Sequence, residues 1–128
     1  MKQLLLIPML FVCYLGMGQS NIIGTPITIG NLLVAQKDFP TTLTWYKATD
    51  ACTALGDGWR LPTAEELNTI YKNQTIIGGF NYPGSGSYWS STVGKKDSPW
   101  QQNFENGVQT TNYYKFYAFF VRAVRDKD

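Results

Sequence analysis

The sequence has 128 residues, a length that suits a single domain, and its 11 basic and 9 acidic side chains give a formal net charge of +2. This balance does not supply the clustered basic face that nucleic-acid binding needs, so no nucleic-acid partner is expected. Histidine is absent, which removes the commonest general base and the commonest transition-metal ligand. We therefore predict no metal site and no cofactor.

Residues 1–18 have the three parts of a secretory signal peptide. Lys2 supplies the positive start, an apolar run follows from Leu4 to Leu15, and small residues end the segment at Gly18. The run is shorter than the about 20 apolar residues that span a bilayer. We therefore predict a signal peptide at 1–18 and a single exported domain at 19–128, with no membrane span after cleavage. Its expected location is the periplasm, the cell surface or the extracellular space.

The first part of this domain predicts a hairpin and then a helix. β-Branched residues flank Gly30–Asn31, a pair that tolerates the positive φ of a tight turn, which predicts a hairpin over 26–35. Residues 44–55 carry apolar side chains at helical spacing, and Gly56 suits the left-handed position that ends a helix. We therefore predict a first helix at 44–55 that is capped by the side chain of Thr44.

Cys52 falls on the apolar face of this first helix. Cleavage of the signal peptide removes Cys13, so the exported domain has one cysteine and forms no internal disulfide. Because the chain has no histidine to activate a thiol, we interpret Cys52 as a core residue and not as a nucleophile.

A second helix has the clearest start signal in the chain. Trp59 and Arg60 precede Pro62, which bars helical continuation from upstream. Thr63 and Glu66, three residues apart, form the pattern of a capping box. Arg60 is expected to bond Glu66 or a nearby carbonyl group and to fix the turn. These five residues are therefore assigned structural roles.

Loops and strands are predicted beyond the second helix. The glycine-rich stretch 78–87 predicts a loop, and 88–92 predicts a short strand. Residues 100–104 alternate before the Asn106–Gly107 turn, so a second hairpin is expected. The stretch 117–124 is apolar on both faces apart from one arginine, which predicts a strand in the centre of its sheet.

Three motifs, taken in order, are similar to a known bacterial family. They are Gly58-Trp59-Arg60-Leu61-Pro62-Thr63, Tyr88-Trp89-Ser90-Ser91-Thr92 and Val121-Arg122-Ala123-Val124-Arg125. Together they resemble the domain of unknown function 1566 family, also known as the C-terminal domain of a collagen-like adhesin, over about residues 27–125. The resemblance implies an α+β, C-type-lectin-like fold in which two helices flank a small twisted antiparallel sheet and the first and last strands lie close. Trp89 and Arg122 are assigned structural roles within it.

The sequence departs from the family pattern in two ways. Many relatives carry a second cysteine in the last strand that pairs with the helix cysteine, and Ala123 stands at that position here. Calcium-dependent lectins bind metal and sugar through Glu-Pro-Asn or Gln-Pro-Asp together with Trp-Asn-Asp. None of these strings occurs in this sequence.

The resemblance implies an exported module, and some family members attach to glycans or surfaces. We predict a non-enzymatic binding module whose ligand is an unidentified glycan, surface or protein. Aromatic rings stack on sugars and amides bond sugar hydroxyls, which guides the choice of ligand contacts. The candidates are Asn81, Tyr82, Gln101, Asn103, Tyr113 and Tyr114. The competing interpretation is that the tyrosines are partly buried in sheet pairs.

Two other functions are open at this point. A structural or assembly subunit of the cell envelope would dock through the aromatic stretch 113–120, because aromatic residues are enriched at interface cores. An enzyme related to the formylglycine-generating oxidases is the weaker alternative, since those need a reactive cysteine pair. A glycosidase needs two facing carboxylates about 5–9 Å apart, and Asp97 with Glu105 is the only loosely matching pair. No catalytic residue is assigned.

Overall fold

The computed structural model describes residues 21–81 and 86–128, so the predicted signal peptide lies outside the described residues. Residues 21–23 are helical, and the helices after them in the described chain are α1 (Trp45–Ala54), α2 (Ala64–Lys72) and α3 (Gln74–Ile77), with a 3₁₀ turn at Lys95–Asp97. The strands are β1 (Ile27–Ile29), β2 (Leu32–Val34), β3 (Leu43–Thr44), β4 (Ser87–Val93), β5 (Pro99–Asn103), β6 (Gln109–Thr110), β7 (Ala118–Phe119) and β8 (Val124–Asp126). This is the mixed helix and antiparallel-sheet class that the sequence predicts.

The described strands form three small antiparallel sheets, in the orders β1-β2-β8, β3-β7 and β4-β5-β6. The expectation of a single sheet is therefore wrong. Most of the strands have only two or three residues, so the chain bends away before a continuous sheet can form. The expected closeness of the first and last strands is confirmed, because β2 pairs with both β1 and β8.

Both predicted hairpins are present. β1 and β2 pair with Ile29 opposite Leu32, and Gly30 between them has a φ of 59°. β5 and β6 pair with Gln102 opposite Gln109, and Gly107 in their connection has a φ of 80°. In each turn the glycine takes a left-handed conformation that costs other residues energy, which explains why these turns could be read from the sequence.

The prediction of one central strand at 117–124 is wrong, because β7 belongs to a two-stranded sheet and β8 lies at the edge of the β1-β2-β8 sheet. Between β7 and β8 its backbone bonds to different neighbours on its two sides. On one side the Ala35 N–H donates to the Ala123 carbonyl at 3.0 Å, and on the other the Trp89 N–H donates to the Phe120 carbonyl at 3.1 Å. Pairing partners that change within a few residues interrupt the regular strand, although the segment is hydrogen-bonded on both sides.

Helix α1 is present within one residue of its predicted bounds, but its predicted cap bond is absent. Thr44 is the N-cap residue, and its side chain makes no cap hydrogen bond. At the other end Gly56 has a φ of 78°, as expected for a left-handed helix stop. Cys52 is fully buried on the inner face of the helix, and burial raises the pKa of its thiol to about 12. At that pKa the group is a neutral core thiol.

Helix α2 starts with the capping box that its sequence indicates. The Thr63 hydroxyl accepts from the Glu66 N–H at 3.1 Å, and the Glu66 carboxylate accepts from the Thr63 N–H at 2.9 Å. Arg60 donates to both oxygens of Glu66, at 2.7 and 2.9 Å, and at 2.7 Å to Asp126 in β8. The hydrogen bonds from Arg60 lower the pKa of Glu66. This arrangement fastens the start of α2 to the last strand.

Two hydrophobic clusters fill the interior of the described chain. The first packs α1 against the segment 59–62 that leads into α2, and it includes Cys52, Trp59, Trp89, Phe119 and Ala123. The second lies under α2 and includes Leu67, Ile70, Tyr88, Phe104 and Val124. Trp59 is 5% exposed, Pro62 is buried and Trp89 is fully buried, so the corner leading into α2 is part of the core.

Candidate functional site

One surface of the molecule carries an unusual concentration of exposed aromatic rings. Its members are Tyr46, Tyr113, Tyr114, Phe116 and Tyr117, and we refer to them as the aromatic face. Phe116 is 72% exposed, Tyr46 is 60% exposed and Tyr114 is 59% exposed. Exposed apolar side chains that occur singly need no explanation, but a contiguous group of this kind is typical of a binding surface.

The rings of the aromatic face are ordered by contacts with one another. Tyr114 stacks on Phe116 with a centroid distance of 5.7 Å and an interplanar angle of 16°. Phe116 stacks on Tyr117 at 5.2 Å and 20°. Tyr113 meets Tyr117 edge to face and makes the same kind of contact, also at 5.2 Å, with Phe119 of the core. The exposed rings are therefore anchored to the interior.

Backbone pairing explains why these rings come together. The β3–β7 sheet places Leu43 opposite Phe119, so the chain just before β7 runs beside the start of α1. The Trp45 N–H donates to the Lys115 carbonyl at 2.9 Å. This bond brings Tyr46, which follows at the first turn of α1, next to the segment 113–117.

Lys115 lies among these rings and connects them to a neighbouring loop. Its ammonium nitrogen is 5.0 Å from the ring centroids of both Trp45 and Tyr46, which is cation–π distance. It donates to the Tyr46 hydroxyl at 3.2 Å and to the Asp97 carboxylate at 2.7 Å. The bond to Asp97 is the main cause of a raised pKa at Lys115, so the side chain is a cation at neutral pH.

A cleft of about 240 Å³ opens at this position, and its walls are almost entirely apolar. It is lined by Thr44, Tyr46, Lys115 and Phe116. The cleft combines two exposed rings with one donor whose charge is balanced by Asp97. It is thus a place where a flat, mostly apolar group with a few hydroxyls could bind.

The structure places some of the predicted ligand contacts at the surface and buries others. Tyr113 and Tyr114 belong to the aromatic face, being 39% and 59% exposed. Neither lies in a strand, so the competing interpretation is wrong about sheet pairs, although Tyr113 is partly covered by its contact with Phe119. Gln101 is only 2% exposed and pairs with Trp89 across β4 and β5, which places its side chain on the core side of that sheet. Its expected role as an exposed amide contact is therefore a wrong prediction.

Asn103 is half-buried and its amide is used inside the chain. The side-chain oxygen accepts from the Glu105 N–H at 2.7 Å, which supports the turn between β5 and β6. Asp97 and Glu105 stand beyond opposite ends of β5, and that strand alone spans about 13 Å at about 3.3 Å per residue. The structure therefore does not bring together Asp97 and Glu105, the pair considered for glycosidase chemistry. Asp97 is instead bonded to Lys115.

Asn81 lies in a different cleft, of about 450 Å³, and Tyr82 lies outside the described residues. The Asn81 N–H donates to the Tyr88 hydroxyl at 2.7 Å and to the Asp38 carboxylate at 3.1 Å. Burial raises the pKa of Asp38, and the guanidinium of Arg122 together with the Tyr88 hydroxyl opposes that rise. These bonds hold the segment that leaves α3 against the body of the domain.

Sequence reasoning missed Tyr46 altogether, and it included Lys115, Phe116 and Tyr117 only within the docking stretch 113–120 and not as ligand contacts. A signal was present, because 113–117 reads Tyr-Tyr-Lys-Phe-Tyr and a strand cannot turn consecutive rings to one face. Unless both faces of the segment are covered, some of these rings are exposed. The predicted docking stretch 113–120 is also divided, since Phe119 is buried in the first core cluster and Phe120 packs against the second.

The sequence matches the family described as the Lcl C-terminal domain over residues 28–125. The chain belongs to this family. The Lcl C-terminal domain is a bacterial domain associated with surface and adhesin modules, and the matched region contains both core clusters, α1, α2 and the whole aromatic face. A comparison with curated protein sequences finds no match.

Two further properties concern the residues that the structure describes. None of their helices has the length and apolar content that crossing a bilayer requires. Among residues 21–81 and 86–128, the side chains of cysteine, aspartate and glutamate form no group of three that could hold a metal ion.

Proposed function

We propose that this Lcl C-terminal domain is an exported, non-enzymatic binding module with a C-type-lectin-like fold that attaches to a glycan through its aromatic face. The family membership supports a role at a bacterial surface, and the signal-peptide pattern at 1–18 supports export. The exposed and mutually stacked rings are the observation that carries the binding proposal.

Several features favour the lectin-like fold assignment. The two long helices lie between the first hairpin and the β4-β5-β6 sheet, and the first and last strands share one sheet. Trp59 is buried, and the backbone between β7 and β8 is hydrogen-bonded on both of its sides. The opposite findings, a solvent-exposed Trp59 or an unpaired edge at 121–124, would have excluded this assignment.

Aromatic rings suit sugars because a pyranose has apolar C–H faces and polar edges. Tyrosine offers a flat apolar face and a hydroxyl at its tip, and it has few rotatable bonds to order on binding. The face has three tyrosines and one phenylalanine in the segment 113–117, and their rings already hold one another in place. Little conformational entropy is left to lose when a ligand binds.

The test is to measure binding of the purified exported protein to an array of oligosaccharides and then to titrate the glycans that bind. Phe116→Ala is expected to weaken binding by about tenfold, as typical for truncation of a central aromatic contact. Ile76→Ala is the matched control, because Ile76 is 73% exposed and lies in α3, which contributes no ring to the aromatic face and no lining residue to its cleft. A folded wild-type protein that binds no glycan on the array would overturn the proposal.

The same face supports a second function, assembly with another envelope protein, because exposed aromatic groups are also typical of protein interfaces. Light scattering on the purified protein distinguishes the two. Self-association that is lost in Phe116→Ala while glycan binding is absent would favour the assembly role. A monomer that binds glycans would favour attachment.

A further inference from the structure

Tyr46 is the one ring of the aromatic face that α1 supplies, and the other four rings come from the segment 113–117. The ring contacts found in the described residues join Tyr46 to Trp45, edge to face with the centroids 5.3 Å apart, and to none of those four rings. Trp45 precedes Tyr46 in the same helix, so this contact does not fix Tyr46 relative to the segment 113–117. A side chain of that segment, Lys115, makes the connection.

The ammonium group of Lys115 contacts both rings at the start of α1. Its nitrogen is 5.0 Å from the ring centroids of Trp45 and Tyr46, and it donates to the Tyr46 hydroxyl at 3.2 Å. The backbone carbonyl of the same residue accepts from the Trp45 N–H at 2.9 Å. Lys115 therefore binds the first turn of α1 through its main chain and through its side chain.

Asp97 restricts the Lys115 side chain from a second direction. Its carboxylate accepts from the ammonium group at 2.7 Å, and it belongs to a loop that the Gly94 N–H closes by donating to the Ser98 carbonyl at 2.8 Å. With these contacts the Lys115 side chain is only 17% exposed. A lysine side chain has many rotamers when it is free, and bonds to two partners restrict it, so that it can order the ring beside it.

We propose that Lys115 is a positioning residue of the aromatic face, which holds the Tyr46 ring beside Phe116 so that both rings meet the ligand. The proposal rests on the glycan-binding function and assigns one residue a role in it. Tyr46, Phe116 and Lys115 line the same cleft. A ring that is ordered before the ligand arrives loses less conformational entropy on binding, so the ammonium group strengthens binding through Tyr46 without contacting the ligand.

The test is a double-mutant cycle of Lys115→Met and Tyr46→Ala, measured as Kd for the oligosaccharide that wild type binds most tightly on the array. Methionine keeps an apolar stem but has no charge and no donor. Lys115→Met is expected to bind about fivefold more weakly than wild type, because the ligand must then order the Tyr46 ring. In a chain that already carries Tyr46→Ala it should change Kd by less than about twofold, since no ring is left to position. Lys115→Arg keeps the cation and should retain most of the affinity.

Lys95→Met is the matched control, because it removes one lysine charge from the neighbouring loop. The Lys95 side chain is exposed, and the ion pairs found in the described residues do not include it. The same loss in Lys115→Met with and without Tyr46 would show that the ammonium group contacts the ligand directly. Equal losses in Lys115→Met and Lys95→Met would show that charge and not ring position matters. Either result, or an unchanged Kd in Lys115→Met, would overturn the positioning role and leave glycan attachment intact.

A second measurement needs no ligand. An NMR spectrum of the wild-type protein should show a nuclear Overhauser contact between the ε-methylene protons of Lys115 and the ring protons of Tyr46, because the ammonium nitrogen is 5.0 Å from the ring centroid. Absence of this contact would overturn the positioning role whether or not a glycan binds. A protein that shows the contact and binds no glycan would overturn glycan attachment and leave the ordering of Tyr46 by Lys115 intact.

Discussion

Arg122 shows how a single charged residue is accommodated in the interior of this small domain. Its side chain has no exposed surface, and that of Asp38 is 7% exposed. Each guanidinium nitrogen has an acceptor: Nε donates to Asp38, Nη1 to the carbonyls of Ala35 and Gly78, and Nη2 to Gly78. The guanidinium carbon also lies 4.1 Å from the ring centroid of Phe80. Burying a charge costs several kcal/mol, and this full set of partners offsets the cost.

Arg122→Met is therefore expected to lower the free energy of unfolding by about 3–5 kcal/mol, because it leaves the Asp38 carboxylate buried without its cation. Urea denaturation followed by tryptophan fluorescence measures the change. Arg125→Met is the matched control: its partner Asp128 is 95% exposed, and loss of a surface pair should cost less than about 1 kcal/mol. The double variant Arg122→Met/Asp38→Asn should recover part of the loss. A cost below about 1 kcal/mol for Arg122→Met would contradict this account.

At the scale of secondary-structure elements, the two long helices begin in different ways. Both have a threonine at the N-cap position with extended backbone, Thr44 before α1 and Thr63 before α2. Only Thr63 has a side chain that accepts a helix N–H, and Glu66 completes the reciprocal bond. The N-cap residue is thus threonine in both helices, and the two helix starts differ in that only α2 has a capping box.

Thr63→Ala is expected to destabilise the protein by about 1 kcal/mol, the usual cost of losing a cap hydrogen bond. Thr44→Ala should change the free energy of unfolding by less than about 0.5 kcal/mol, because no cap bond is lost. Denaturation midpoints of the two variants, measured side by side with wild type, check the difference. Equal losses would mean that the capping box adds nothing beyond a threonine at this position.

The elements that the sequence predicts well are those with local causes. The Gly30 and Gly107 turns depend on positive φ, and the start of α2 depends on a proline and a capping pair within a few residues. The division of the strands into three sheets has no local cause, because it depends on which distant segments happen to pair. The 3₁₀ turn and α3 were missed, since short helices carry too few residues for a periodic signal.

The candidate site was predicted only in part, for a similar reason. Tyr113 and Tyr114 are predicted contacts because tyrosine rings stack on sugars, and the structure places both on the aromatic face. Lys115 and Tyr46 were not named as ligand contacts, because their contact joins two segments that are 69 positions apart and are brought together by β3 and β7. Gln101 was named as a polar group on an alternating strand, but both faces of that strand are covered.

At the scale of the whole molecule, the fold is held without a covalent link among the described residues. Cys52 in α1 is free, and Ala123, the position at which the family resemblance implies a second cysteine, belongs to the same buried cluster. The helix and the C-terminal segment therefore meet through packing alone. Because both positions belong to one packed cluster, a disulfide between them can be tested directly.

Ala123→Cys is expected to form a disulfide with Cys52 in an oxidising buffer. Such a bond closes a loop of roughly 70 residues, which in the chain-entropy model adds up to about 4 kcal/mol to the free energy of unfolding. The extra sulfur atom also fills a fully packed site, and overpacking costs about 1–3 kcal/mol. Denaturation of the variant with and without reductant separates the two effects, because the reduced form carries only the packing cost. A thiol assay that finds both cysteines free after oxidation would show that α1 and the C-terminal segment do not approach within disulfide distance.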